Sequence, residues 1–425
     1  MRFSISLLMV FLTGTLIYGQ QNKPVVPDSV MKQLRALRQR IDALEQQQAE
    51  SELEKLKEEA LKASEQTKEE TAPRVFKSGQ RSLQAINPEI SVTGDQFFQG
   101  VINSNGFTEE ARTGGYFRVL GLHIQSNLDP FSLAKIAVEI TPEGVELGEA
   151  YVTWTNVFTN LSLTAGKFRQ QFGVVNRWHA HSLDQFDFPL AMTTILGEEG
   201  LNQIGFSLDW LMPSLIAQAN TLTLQITNGQ NDQLFAGSAF SFPVVLGHLK
   251  NYYDLNPDTY LEWGITGMAG YNNFRGFADD RLVLKANQLT KVTGLDLTLF
   301  WEPVNRAHYH SFLWRTEFYY ADKEQLNDRE LTEHITAGGF YTNVDYRFNE
   351  RWYAGLRYDY TQPFTVKNAG RYISQIVPYV TWWQSHWVRF RLQLNYKSGN
   401  ALQKADTVVR LQLTWAAGPH KHERY

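Results

Sequence analysis

The residues whose types and spacing could do chemistry are concentrated at positions 177–200, in the stretch "RWHAHSLDQFDFPLAMTTILGEEG". Long tracts on both sides of it alternate apolar and polar residues, and this stretch does not. Its charged and titratable side chains are Arg177, His179, His181, Asp184, Asp187, Glu198 and Glu199. Residues of these types could bind a metal ion, form a hydrolytic site or make a charged loop.

The metal interpretation rests on the His-x-His spacing of His179 and His181. On an extended segment this spacing directs both rings to one side, and Asp184 could add a third ligand, as in a zinc site. Two more such pairs are His308 with His310 and His420 with His422. The chain has no cysteine and no H-E-x-x-H motif. We therefore expect no cofactor, and keep zinc at the first and last of these pairs as an alternative.

An enzymatic interpretation needs a nucleophile that a histidine activates. Ser182 lies next to His181, but adjacency in sequence does not create the geometry of a catalytic triad. No other motif supplies a nucleophile together with its base. The sequence therefore predicts that the protein is not an enzyme.

The first 21 residues, "MRFSISLLMVFLTGTLIYGQQ", have the features of a secretory signal peptide. Arg2 supplies a positive charge, residues 7–17 are mostly apolar, and Gly19 is the small residue before the predicted cleavage site. The apolar run is shorter than the roughly 20 residues of a membrane-spanning helix. We assign residues 1–19 to the signal peptide and expect export.

Composition narrows the class of protein. A net charge of −4 over 425 residues excludes a broadly basic nucleic-acid-binding protein. An exported chain without cysteine has no disulfides, so another kind of structure has to stabilise it. A closed, hydrogen-bonded sheet would do so.

Residues 28–70 contain no glycine or proline and predict a helix. Apolar residues at Val30, Leu34, Leu37, Ile41 and Leu44 follow the alternating four-three spacing of a coiled-coil seam. The spacing changes after that point, so a single solvated helix is the alternative. We assign 28–70 to a periplasmic coiled coil, 71–87 to a linker, and the oligomerisation contact to Leu34, Leu37, Ile41 and Leu44.

From residue 88 to the end the apolar period is two, which predicts strands. "GLDLTLFW" and "VRFRLQLNY" place apolar and polar residues on opposite faces. We predict sixteen strands, near 88–101, 114–126, 132–140, 145–154, 161–172, 202–211, 221–228, 244–252, 260–271, 290–301, 311–320, 338–348, 353–360, 372–383, 388–396 and 407–416.

Strand lengths and connections distinguish the possible all-β folds. Many of these strands have about 9–12 residues, the length of a tilted membrane strand, whereas strands of a soluble sandwich have about 5–6. Connections at one end are short and most at the other are long, including 102–113, 173–201, 229–243, 272–289 and 321–337. The predicted fold is therefore all-β, a sixteen-stranded antiparallel transmembrane β-barrel over 88–425 that follows a short α-helical coiled coil. Pro378 lies inside a predicted strand and implies a bulge or a wrong assignment.

The stretches "LGEAYVTW" and "LSLTAGKFRQQFG", followed by a long loop, resemble the outer-membrane porins of diderm bacteria, in particular the phosphate-selective branch. The resemblance covers about residues 85–425. It implies a homotrimer in outer-membrane lipid, and a third outer loop, here 173–201, that folds inward and narrows the pore. Some relatives with a "GKFR…GEEGL" pattern are regarded as metal-regulated receptors, but such receptors have a plug domain and 22 strands.

The predicted lumen carries charges of both signs. Arginines on the polar faces of late strands are Arg315, Arg347, Arg357, Arg389, Arg391 and Arg410. Acids on the same faces are Glu262, Asp296, Glu317, Asp345 and Asp359. Acids on the loop opposite these arginines would give a transverse field that orients polar solutes. Because the wall is mixed, phosphate selectivity does not follow.

The function that these features predict is passive diffusion of small hydrophilic solutes or ions through a water-filled barrel that the loop 173–201 narrows. One alternative is a barrel linked to metal or anion uptake, and a second is a structural or adhesive barrel. Nucleic acid is not expected as a partner.

The coiled coil gives the first testable prediction. Each leucine buried in the seam should contribute about 1.5–3 kcal/mol per chain, so changing Leu37 and Ile41 together to Asp should dissociate trimers while the barrel still inserts. Native gels of the purified protein measure the effect, and the double change to Ala is the milder control. Trimers that persist in the Asp variant would assign the assembly to the barrel wall.

Overall fold

The computed structural model describes residues 88–104, 112–235, 243–272, 288–306, 309–327, 329 and 331–418. The predicted signal peptide, coiled coil and linker lie outside the described residues, as do His308, His420 and His422. Within the described part of the chain, no helix is both long and apolar enough to cross a membrane.

Sixteen antiparallel strands form one closed barrel, in which each strand pairs with its neighbours in sequence and β1 pairs with β16. The predicted fold class of the barrel is confirmed. The strands are β1 Glu89–Asn103, β2 Gly114–Asp129, β3 Ser132–Thr141, β4 Gly144–Phe158, β5 Leu161–Arg169, β6 Asn202–Met212, β7 Ala219–Thr227, β8 Val244–Asn256, β9 Thr259–Asn272, β10 Gln288–Trp301, β11 Ser311–Leu326, β12 Thr332–Arg347, β13 Trp352–Thr361, β14 Ile373–Ser385, β15 Val388–Ser398 and β16 Asp406–Ala417.

The two faces of each strand differ in polarity, as the period of two predicts. On β10, Asp296 and Thr298 are buried, while Leu295 between Gly294 and Asp296 is half exposed on the outer surface. On β15, Arg391 and Gln393 point inward and Leu392 points outward. The barrel thus has a largely polar interior and an apolar outer surface.

One predicted loop is mostly strand. Residues 321–337 were assigned to a long connection, but β11 continues to Leu326 and β12 begins at Thr332. The ladder pairs Lys323 with Ile335 and Leu326 with Thr332. Polar residues occupy both faces of this extension, so the apolar period of two disappears although the hydrogen bonds continue.

Pro378 causes neither a bulge nor a break in β14, which corrects that expectation. The ladder to β15 pairs Ile376 with Tyr396 and Tyr379 with Gln393 in one unchanged register, and it skips Val377 and Pro378. Proline has no N–H to donate, so one bond of the ladder is lost while the strand continues. On the other side, Pro378 stays paired with Leu356 of β13.

In the part of the chain that the structure describes, two connections enter the barrel. Residues 170–201 contain two short 3-10 turns and one helix, α1 (Leu190–Leu196), which contacts β11, β12 and β13. Residues 228–235 follow β7 and bury Leu234 and Phe235. We call 170–201 the inserted segment.

An apolar cluster inside the barrel joins the inserted segment to the wall. Its members include Phe172, Met192 and Ile195 of the segment and Val292 and Tyr341 of the wall. Wall glycines make the close approach possible. A Cβ on Gly294 would lie 2.7 Å from Phe172, and one on Gly339 would lie 2.9 Å from Ala191. Both distances are shorter than real carbon contacts, so a side chain at either position would push the segment away from the wall.

Candidate functional site

The inserted segment crosses the interior of the barrel and is held on several walls. Its backbone accepts hydrogen bonds from Arg118 of β2, Arg357 of β13 and Arg391 of β15. Glu317 of β11 accepts one from the N–H of Val175. The wall residues come from strands far apart around the barrel, so the segment spans the lumen.

Local chemistry explains why the segment turns where it does. Pro189 precedes α1, where its missing N–H is no loss. Gly197 ends the helix at a φ of 95°, a value that side-chain-bearing residues rarely adopt. The last carbonyls of the helix find partners in the second entering segment, because Asn231 donates to Leu196 O and Gln233 donates to Thr194 O.

Asp187 is the most heavily bonded acid of the segment. Its carboxylate lies 3.2 Å from Arg357 Nη2 and accepts hydrogen bonds from Gln393 at 2.7 Å and Asn395 at 3.1 Å. Burial acts to raise the pKa of Asp187, but Arg357 and Arg410 outweigh it and hold the pKa well below its usual range. The carboxylate is therefore charged at neutral pH and ties the segment to β13 and β15.

Asp184 attaches the segment to the wall at a second place, where its carboxylate lies 3.5 Å from the guanidinium of Arg315 of β11. The same guanidinium stacks on Trp178, 4.5 Å from the ring centre. Arg389 and Arg391 donate to the carbonyls of His181 and Leu183. With Arg357, four of the predicted wall arginines thus bind the segment by hydrogen bonds or ion pairs, whereas we expected them on the wall opposite the acids of the loop.

Phe186 is held between two guanidinium groups. Arg118 lies 4.3 Å and Arg410 4.7 Å from the ring centre. Arg118 also donates to the Phe186 carbonyl at 2.6 Å and lies 3.4 Å from Asp95. Cation–π contacts of this kind contribute about 0.5–2 kcal/mol each, so Phe186 fixes the segment near the β1, β2 and β16 wall.

His179 binds two carboxylates. Its Nδ1 lies 3.0 Å from Glu139 of β3 and its Nε2 lies 2.9 Å from Glu149 of β4. Both bonds need a proton on the ring nitrogen, so the arrangement favours the imidazolium. Burial acts to lower the pKa of His179, but the bonds to Glu139 and Glu149 outweigh it and raise the pKa above its usual value.

The surroundings of this histidine bear on the metal and enzyme interpretations. His123 and His181 contact the His179 ring, but both nitrogens of His179 are already used. In the described part of the chain, no three or more His, Cys, Asp or Glu side chains are grouped so that they could bind a metal ion. The hydroxyl of Ser182 donates to the His179 carbonyl at 2.7 Å, so it is used inside the segment.

The other predicted site residues lie apart from this network. Glu198 and Glu199 follow α1 and are largely exposed, and Arg169 of β5 donates to the Glu199 carbonyl. Partial loss of hydration and the nearby charge of Glu146 raise the pKa of Glu199. Arg177 donates to Gln171. Arg347 lies 3.8 Å from Glu302, near the end of the barrel with short turns. The acids predicted for one constriction are thus divided between two walls.

Three residues that were not among the predicted site residues hold the segment from β2, β3 and β4: Arg118, Glu139 and Glu149. All three lie on polar faces of alternating tracts, and that pattern could have identified them. Their pairing with the loop depends on how the segment folds, which the period of two does not encode.

The bonds of His179 predict a dependence on pH. Because folding raises its pKa, the stabilisation is complete below the ordinary histidine value of about 6.5 and is lost as pH rises through the higher folded-state value. Hydrogen exchange of the segment amides, corrected for the intrinsic effect of pH, should show about tenfold lower protection on the alkaline side.

The variant His179→Gln should exchange rapidly at every pH, because it cannot carry the charge. His181→Gln is the matched control and should keep the pH dependence. The other charged and titratable neighbours of the site, which include Arg169, His123, Glu139 and Glu149, are the same in both variants. If hydrogen exchange in His179→Gln still depends on pH in this way, a group other than His179 is responsible for the dependence.

Comparison with known proteins gives the fold and little more. No protein-family model matches the chain. An uncharacterised protein of Aquifex aeolicus is 26% identical over 253 residues, which cover 56% of this chain and 52% of that protein. The chain therefore spans about half the length of that relative.

Solved structures share the barrel at low sequence identity. An anion-selective porin from Comamonas acidovorans is 11% identical, with a TM-score of 0.53, over 78% of this chain and 99% of that one. The outer-membrane channel DcaP of Acinetobacter baumannii is 13% identical, with a TM-score of 0.53, over 78% and 96%. The trimer form of OmpT, an outer-membrane protein of Vibrio cholerae, is 10% identical, with a TM-score of 0.50, over 78% and 99%. The chain is thus similar in fold to outer-membrane porins.

Proposed function

We propose that the protein is an outer-membrane porin through which small hydrophilic solutes or ions diffuse passively. The observation that carries the proposal is the inserted segment, which lies across a polar lumen and is bound to walls on several sides. A segment held in this way restricts the cross-section of the barrel. The proposal gives the loop 173–201 the role of a constriction.

The outer surface supports the membrane location. Large apolar side chains are exposed along successive strands, including Phe206, Ile226, Ile265, Leu356 and Leu411. An apolar surface of this extent is unfavourable in water, and lipid would cover it. Tryptophans and tyrosines near strand ends, such as Trp210 and Tyr396, fit the interfaces of a bilayer.

The charge arrangement bears on selectivity. Asp184 and Asp187 partly neutralise Arg315 and Arg357, and the donors of Arg389 and Arg391 are used on segment carbonyls. These arginines therefore do not form a free anion filter. The proposal therefore does not include phosphate selectivity, and it leaves uptake of a metal or another anion as the second candidate. A homotrimer is part of the proposal, supported by the trimer form of the Vibrio cholerae protein, which has the same fold.

The constriction role predicts a change in conductance. Deleting residues 179–194 should raise single-channel conductance in planar bilayers at least twofold, because the part of the segment that crosses the lumen is lost. The wall ladder is unaffected, so the barrel should still show a heat-dependent shift in gel migration. Unaltered conductance of inserted, trimeric deletion protein would place the segment outside the conducting path.

A pair of point variants tests the same role more gently. Asp187→Asn removes the charge that binds Arg357, and we expect larger current fluctuations as the segment detaches transiently. Glu198→Gln removes one charge from an exposed position of the same segment and should leave the current trace unchanged. Equal current fluctuations in the two variants would show that the ion pair between Asp187 and Arg357 does not control the motion of the segment.

The membrane location has a test of its own. Leu411 is exposed on β16 between Phe98 and Leu392 of the neighbouring strands. Arginine there should destabilise the folded barrel in lipid by about 2–4 kcal/mol, the cost of a cationic side chain near the bilayer midplane. Unfolding in urea with lipid vesicles measures it, with Leu411→Ala as the control without charge. If Leu411→Arg leaves the free energy of unfolding unchanged, this surface faces water.

A further inference from the structure

A small cavity lies in the lumen between the inserted segment and strands β8–β11. Its volume is about 30 Å³, which is room for about two water-sized particles. Charged side chains line it: Arg177, Lys250, Glu262, Asp296 and Arg315. The cavity is therefore polar and sized for an ion or a head group, and too small for a large solute.

Asp296 differs from the other acids of this wall. It is only 5% exposed, and its buried Oδ2 has no hydrogen-bond partner among the residues that the structure describes. A buried carboxylate oxygen without a partner is costly, by several kcal/mol when the group is ionised. A ligand that supplies a positive charge or a proton would remove that cost.

The neighbouring cations have carboxylates of their own. Lys250 lies 3.0 Å from Glu262, and Arg315 lies 3.5 Å from Asp184. In the ladder, Lys250 and Asp296 flank Gly264 from opposite sides. Lys250 is thus turned toward Glu262, and the absence of a side chain on Gly264 leaves room for the carboxylate of Asp296.

The surrounding charges leave that of Asp296 uncompensated. Those that act on it most are two acids, Glu317 and Glu262, and two cations, Lys250 and Arg315. These four charges cancel in number, and Arg177, the remaining charged residue of the lining, donates to Gln171. The negative charge of Asp296 therefore has no counterpart among its strongest neighbours, and one added positive charge would balance it. A divalent calcium ion takes six to eight oxygen ligands, more than one carboxylate and two waters supply.

We propose that this cavity is a binding site for one small monovalent cation, either an alkali-metal ion or the primary ammonium group of a solute, with Asp296 as its acceptor. The inference rests on the proposed function only in that cations reach the site through the lumen. It places a cation site on the β8–β11 wall, opposite the arginine-rich wall of β13, β15 and β16.

Binding can be measured without any ion current. Sodium-23 line broadening, recorded on the detergent-solubilised protein at pH 7–9, should fall at least fivefold in Asp296→Asn. Asp209→Asn is the matched control, because Asp209 is a lumen acid whose carboxylate accepts bonds from Thr223 and Ser207 and lies outside the cavity lining. It should leave the broadening unchanged.

Competition identifies the source of the charge. Methylammonium chloride that removes the Asp296-dependent broadening at lower concentration than potassium chloride would assign the site to ammonium groups, and the reverse order would assign it to alkali ions. Both orders support the site. Broadening equal in wild type and Asp296→Asn, or absent throughout pH 7–9, would overturn the proposal and leave Asp296 protonated.

Conductance separates this inference from the proposed function. If the protein conducts, wild-type conductance should saturate as sodium chloride rises below 1 M, and Asp296→Asn should respond linearly. A protein that binds sodium through Asp296 but conducts no current would refute the channel and keep the site. A protein that conducts current but whose sodium line broadening is the same in Asp296→Asn would keep the channel and refute the site.

Discussion

The constraint on which the structure depends is closure of the hydrogen-bonded ladder. An open sheet with an apolar outer face would leave the N–H and C=O groups of two edge strands without partners, and pairing β1 with β16 removes both edges. Closure then divides the side chains into two sets. Apolar residues cover the outside, and the polar residues that alternate with them have to share one interior.

That interior is where buried charge accumulates, and the inserted segment is one way in which it is neutralised. Arg357, at 0% exposure, would be costly without the carboxylates of Asp187 and Asp359 beside it. The carboxylate of Glu317 serves two tyrosines, Tyr319 and Tyr341, as well as the segment backbone. Wall and segment thus complete each other's hydrogen bonds, which explains how a long connection with little regular structure keeps a defined path.

The period of two in the sequence predicted the sixteen strands and the inward direction of Asp296, Arg357 and Arg391, because alternation is a local property. It failed at 321–337, where strand hydrogen bonds continue without an apolar face. It also could not show that the arginines would bind the segment, since Arg391 and Leu183 are far apart in the chain. The trio of His179, Glu139 and Glu149 is hidden for the same reason. Glu139 and Glu149 have the pattern of ordinary lumen residues, and nothing in the sequence pairs them with His179.

The inserted segment is attached by two different kinds of force. Around α1 the attachment is an apolar cluster against Val292 and Tyr341, and between His179 and Asp187 it consists of ion pairs and hydrogen bonds. Hydrophobic contacts weaken on cooling, whereas buried and partly buried ion pairs are screened little by salt. Cold therefore loosens the packing of α1 first, while the ion pairs of the stretch from His179 to Asp187 keep the preceding part of the segment attached to the wall.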